Sequence, residues 1–210
     1  MNQSRSVWNL SLAAFREATA ANASGTPSCG ATAAVTADLG LALVLMALRI
    51  SEKKTPDPRR ATLIDQAERL LVSLGRHADA DIAAFERYMA AIRQSDQVPE
   101  RTRGQALDAT SRQATAVPLA TAHGCIEALE LAIDAHGLTA DSVRSDVLAG
   151  GLLIHAALSA VLINVDVDLA LLADAEERRK AEAARTSLQQ RGDECLARLR
   201  EANRGGRTAP

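Results

Sequence analysis

Burying a lone carboxylate is expensive, so an acidic residue on the apolar stripe of a helix marks a place where something must compensate it. Asp81 is such a residue. Leu74, Ala78, Asp81, Phe85 and Tyr88 recur at spacings of four, three, four and three, which sets Asp81 among the side chains turned toward the core. Asp79 sits two positions away, roughly 200° around the helix, and is expected to face water. On the residues alone Asp81 has two readings. It is either a structural acid bonded to an ion partner or a neighbouring helix end, or a carboxyl whose proton affinity burial has raised, able to hold or pass a proton.

A second line of the same periodicity runs through Asp146, Gly150, Leu153, Ala157, Ala160 and Asn164, with Asp168 one turn further on. Its small residues leave a furrow that suits a packed helix better than a ligand. Asp146 and Asn164 stand ~27 Å apart on a straight helix, so they serve one site only if a partner element or subunit supplies further groups. His155 falls on another face without a metal-ligand companion and reads as a core histidine; the other three histidines read as surface or helix-end residues. No phosphate-cradling glycine loop, nucleophile elbow or zinc motif occurs. Cys29, Cys125 and Cys195 are odd in number and far apart, which fits a reducing compartment.

The elements that must hold these groups are helical. Alanine and leucine dominate the 210 residues, and aromatics are limited to Trp8, Phe15, Phe85 and Tyr88, a composition that favours helices. One helical domain over 1–202 with a loose tail at 203–210 is expected. The pattern predicts six helices, at about 4–21 (Trp8, Leu12 and Phe15 inward), 31–51, 60–93, 100–135 with Pro118 inside, 142–173 and 175–202. Breaks are expected at 22–30, 55–58 and 94–99. The net charge of −2 arises from 24 basic and 26 acidic residues mixed along the chain, which argues against nucleic acid as a partner. The apolar runs 39–50 and 147–165 read as buried helices rather than membrane spans, the first being short and the second carrying His155, Ser159 and Asn164. A helix apolar all round must be enclosed by other helices of its own chain or of a partner. With no signal-type leader apparent, the cytoplasm is the expected compartment.

Placed in order, these segments resemble the cyclodeaminase/cyclohydrolase family, which includes the cyclodeaminase half of formiminotransferase-cyclodeaminase and bacterial methenyltetrahydrofolate cyclohydrolases. The likeness runs from about Phe15 to Asp174. A Pro-Gly-Gly-Gly-type loop entering an Ala-rich helix is matched by Pro27-Ser28-Cys29-Gly30, and a Gly-Lys-Lys helix end by Glu52-Lys53-Lys54. Then follow Asp79-Ala80-Asp81 with Phe85, Ala114-Thr115-Ala116-Val117-Pro118-Leu119, Ser145-Asp146, and Asn164-Val165-Asp166-Val167-Asp168.

The resemblance implies an all-α antiparallel bundle, a homodimer, and a reduced folate or related pterin as substrate, with no prosthetic group or metal. It implies that Asp81 handles the proton, and that Pro27, Ser28, Cys29, Gly30, Lys53, Lys54, Asp146, Asn164 and Asp168 line the substrate site. Ser28 and Cys29 replace two family glycines, Glu52 replaces a third, and Asp168 stands in place of an asparagine. If the family loop uses positive φ, a Cβ at 28 or 29 strains it. The implied activity is hydrolysis or formation of the methenyl bridge of a reduced folate; the alternative is a diverged paralogue that binds another reduced pterin or serves as a helical interaction protein.

Overall fold

The computed structural model describes residues 6–21, 26–93 and 99–205. Among them it contains six α-helices and no strand: α1 (Leu12–Ala20), α2 (Cys29–Lys54), α3 (Pro58–Arg93), α4 (Glu100–His136), α5 (Arg144–Asp168) and α6 (Ala175–Gly205). Short 3-10 turns stand at Val7–Asn9, Asp141–Val143 and Leu169–Leu171. The all-α bundle expected from the sequence is present. Of the expected turn at 94–99, residues 94–98 lie outside the described residues, as do residues 206–210 of the expected tail at 203–210, while α6 carries on through 203–205.

The expected first helix is in fact two pieces. Ser11 breaks it by capping: its hydroxyl accepts the Ala14 amide at 3.1 Å, so a new helix starts there. Leu12 accordingly points outward, 79% exposed, and Trp8 is also on the surface, its indole N–H donating to the Gly75 carbonyl at 2.7 Å. Of the three residues expected to face inward, Phe15 alone packs on a buried cluster, with Val7, Ala34, Val35 and Ala78. Asp79 is likewise not free in water, because its carboxylate accepts the Val7 amide at 2.9 Å and ties the N-terminal segment to α3.

α4 occupies the middle, touching α3, α5 and α6 and continuing unbroken through Pro118. α2 lies antiparallel to α5, and the two approach until their backbones meet: a Cβ on Gly150 would stand 2.5 Å from the Gly40 carbonyl oxygen. The furrow on α5 is therefore filled by α2, the helix-packing alternative. Leu41, Val44, Leu48, Leu129, Ile154, Leu158, Val161 and Leu162 fill the shared core and are fully buried.

At the far end Arg60 is buried and ties α3 to the end of α2 and to the turn after α4, donating to Glu52 at 3.0 Å and to the carbonyls of Leu138 and Thr55. Glu52 also accepts the Asp57 amide, so its presence before the lysine pair has a structural use. His155 is half-buried and bonded to Asp193 of α6 at 2.7 Å, an interhelical polar link where a core histidine was expected. His136 is the last residue of α4, a helix-end position as expected, and is buried there.

Three helical stretches, Cys29–Lys54, Glu100–His136 and Asp141–Leu171, are long and apolar enough to cross a membrane by length and composition. Much of that apolar surface is turned into the bundle. The remainder forms a stripe on α2 (Leu39, Met46, Ile50) and another on α5 (Leu152, Ile163, Val167), all exposed.

Candidate functional site

α2 begins without a side-chain cap of its own. Ser28 occupies the N-cap position, yet its hydroxyl makes no bond to the helix it precedes. It donates instead to Oδ2 of Asp81 at 2.7 Å, and the Ala31 amide donates to the same oxygen at 3.0 Å. A carboxylate from α3 thus caps α2 from outside, answering one of the orphan amides that every helix start exposes. Gly30 makes the approach possible, since a Cβ there would overlap Asp81 Oδ1 and lie 2.5 Å from its Cγ.

Asp81 is 7% exposed, the inward placement that the helical stripe predicts. Burial raises its proton affinity above the ordinary carboxylate range, while the Ser28 hydroxyl and Ala31 amide pull it back; burial wins. Cys29 opens to solvent beside it, with its Sγ 3.3 Å from the Ala160 carbonyl on α5, and both burial and the Asp81 charge push its thiol up. Asp168, the last residue of α5, is half-buried and pushed up to about 7, first by burial and then by the Asp81 charge.

Ser28 has φ −89° and ψ −170°, an extended backbone open to any residue, so the strain expected from losing a glycine is absent. Its hydroxyl adds a bond to the key acid, a role that the sequence pattern gave no sign of. The Ala31 amide escaped the sequence reading for a plainer reason, being a backbone donor that any residue type provides.

The expected site residues fall into two groups. Pro27, Ser28, Cys29, Gly30 and Asp81 gather at the start of α2, and Asn164 and Asp168 stand on the last turns of the antiparallel α5 at that same end. Lys53 and Lys54 are at the other end of α2, about 36 Å away by helix rise, where Lys54 donates to Ser142 at 3.0 Å just before α5 and its first-turn Asp146. One chain does not bring the lysine pair or Asp146 to Asp81. Hollows of about 440, 500 and 370 Å³ lie in the α3/α4 groove, along α6 and on α3; Asp81 lines none of these. Among the described residues no three His, Cys, Asp or Glu side chains converge as a metal-holding set.

An all-helical bundle that turns a buried acid toward an open helix start defines a class of fold and site. Residues 11–187 match the formiminotransferase-cyclodeaminase family, and the chain belongs to that family. Its fold is that of the formiminotetrahydrofolate cyclodeaminase of Thermotoga maritima, with a TM-score of 0.82 over 95% of this chain and 98% of the other at 22% identity. No curated protein matches the chain in sequence.

Proposed function

We propose that this protein acts on the one-carbon unit of a reduced folate-type pterin in the cytoplasm, as a methenyl cyclohydrolase or formimino cyclodeaminase, with Asp81 as the proton-handling residue. The observation that carries the reading is the Asp81 carboxyl itself, buried, held by two donors and seated in space that any side chain at Gly30 would fill. A methenyl bridge between two nitrogens is a cationic, electrophilic carbon. Its hydrolysis needs a placed water and an acceptor for the water's proton, and a carboxylate supplies both the acceptor and a favourable charge. In the deaminase direction the same group passes protons while ring closure expels ammonia.

The protein works as a homodimer in this reading. The exposed apolar stripes of α2 and α5 are surfaces a second copy covers. A two-fold axis across these helices sets the Lys53/Lys54 end of one protomer beside the Asp81 end of the other, where two ammonium groups suit the anionic glutamate tail of a folate.

The test is turnover of methenyl- and formimino-tetrahydrofolate by absorbance and ammonia release, with Asp81→Asn as the comparison. Loss of about 100-fold or more, with the helical circular-dichroism signal retained, is expected for removal of an acid-base group. A wild-type protein that neither turns over these compounds nor binds any reduced pterin overturns the reading, and a monomer in light scattering overturns the shared site.

A further inference from the structure

The serine that precedes α2 is set for a different task from the one its position offers. A serine at an N-cap ordinarily bonds the amide two or three residues on. At α2 that amide, Ala31, is answered by Asp81, and the Ser28 hydroxyl makes no bond to its own helix. It donates instead to Oδ2 of Asp81 at 2.7 Å, the same oxygen that takes the Ala31 amide at 3.0 Å. Neither donor meets Oδ1, which lies over Gly30. The backbone of Ser28 is extended, so the hydroxyl, and not the turn, is what this side chain adds.

The surroundings of Asp81 leave that hydroxyl a large share of the control. Burial raises the proton affinity of the acid, and against it stand the Ser28 hydroxyl first and the Ala31 amide second. From α2 comes the Cys29 thiol and from the end of α5 Asp168, and on both the Asp81 charge acts. α4 meets this part of α3 between Leu74, which lies against Gly124, and Arg87, which donates to Gln113 at 3.1 Å; residues 114–122 carry no titratable side chain. The N-terminal segment brings Val7 and Phe15, both apolar. On α3 itself Asp79 accepts the Val7 amide, and burial holds His77 toward its neutral form.

We propose that Ser28 is a positioning residue for proton transfer at Asp81, its hydroxyl fixing Oδ2 so that Oδ1 takes the proton of the attacking water. The inference rests on the folate reading above and deepens it. As the water oxygen bonds the methenyl carbon, one of its O–H bonds breaks and that proton bonds Oδ1. The positive charge of the carbon is discharged, and the proton passes to solvent when Asp81 ionises again. A hydroxyl aimed at a carboxylate favours the ionised form and weakens it as a base. At a given pH more of the protein therefore holds an ionised Asp81, and each ionised Asp81 pulls on the water less. The glycine that the family pattern has at this position offers no hydroxyl, so Ser28 sets the pH range in which this chain works.

The test compares Ser28→Ala, which removes the hydroxyl, with Ser28→Thr, which keeps it on a β-branched side chain suited to extended backbone. Turnover of methenyl-tetrahydrofolate, net of the uncatalysed reaction, is followed against pH. In Ser28→Ala the acidic limb is expected to move to higher pH, with a loss of about 10-fold on that limb for each pH unit of displacement. Above the limb the rate is expected to equal or exceed that of the wild type, with KM unchanged, and Ser28→Thr is expected to follow the wild type throughout. Without substrate, carbon-13 carboxyl NMR is expected to show the Asp81 midpoint raised in Ser28→Ala and unmoved in Ser28→Thr. A hydroxyl with a merely structural role would lower stability and leave both profiles in place. A Ser28→Ala protein with the wild-type pH profile, or with an unmoved Asp81 midpoint, overturns this inference and leaves the folate reading standing. A wild-type protein inert toward every reduced pterin overturns both.

Discussion

Gly30→Ala is the sharpest probe of how the acid is seated. In a helix alanine is ordinarily preferred to glycine by about 1 kcal/mol, so the bare expectation is stabilisation. Here the added methyl meets Asp81, with Cγ at 2.5 Å and Oδ2 at 2.9 Å, and the carboxylate must turn away. Turning breaks the bonds from Ser28 and Ala31. Hydrogen bonds to a charged acceptor contribute about 1.5–3 kcal/mol each, so the two together contribute about 3–6, and the helix preference offsets about 1. The net cost is about 2–5 kcal/mol, read by urea unfolding at fixed protein concentration. Gly104→Ala on α4, where nothing lies within 4 Å of the new Cβ, supplies the baseline and is expected to be neutral or mildly stabilising. In an Asp81→Ala background the Gly30→Ala penalty should vanish, since the atoms it strikes are gone. A Gly30→Ala protein as stable as wild type, or a penalty that persists without Asp81, refutes the seating described.

Other positions give independent checks. Gly150→Ala sets a methyl against the Gly40 carbonyl at 2.5 Å and the Val44 side chain at 2.9 Å. Backbone cannot step aside as a side chain does, so α2 and α5 must part and about 2–4 kcal/mol of unfolding free energy is lost. Arg60→Ala strands the Leu138 carbonyl and leaves half-buried Glu52 without its partner. Denaturation should reveal a loss of about 3 kcal/mol, the lower edge for a broken buried pair because Glu52 keeps some water. Asp38 is pushed up to about 6 by burial. The folded state therefore holds a proton that the unfolded chain releases above about 4, so this group's contribution is full at acid pH and is lost as pH climbs through about 6. Asp38→Asn should flatten the fall in stability between those values and leave the protein more stable than wild type at pH 8; an unchanged pH slope contradicts the assignment.

How far the sequence discloses this molecule depends on the range of the interaction concerned. Helices α2 to α6 are legible because apolar periodicity and breaks such as Pro56 and Pro58 are local signals. Asp81 is legible for the same reason, being off-pattern on a periodic face. The split of the first helix was local too, and Ser11 is its signature. Asp79 was misjudged because its partner, the Val7 amide, is 72 residues away, and no spacing within α3 encodes that. The separation of Lys53 and Lys54 from the Pro27 loop needed only the length of the intervening helix, 26 residues, so that arithmetic was available before any coordinates. That the last turns of α5 lie at the same end of the bundle as the start of α2 was not, since it depends on the antiparallel register that Gly40 and Gly150 permit.

Capping and chemistry draw on one carboxyl here, and that overlap governs how the site can be dissected. The start of α2 takes its cap from Asp81 because Ser28 has turned its hydroxyl away to the same acid. Deleting the side chain therefore removes a helix cap, about 1 kcal/mol, together with any acid-base function, and a dead Asp81→Ala enzyme says little about either. Asparagine keeps an acceptor oxygen for Ala31 and Ser28 and loses only the titrating proton and the charge. The gap in stability between the two variants measures the cap, while the activity of the asparagine variant alone measures the acid. The same logic explains Gly30: a residue that helix propensity disfavours is held where the cap and the acid must share one space.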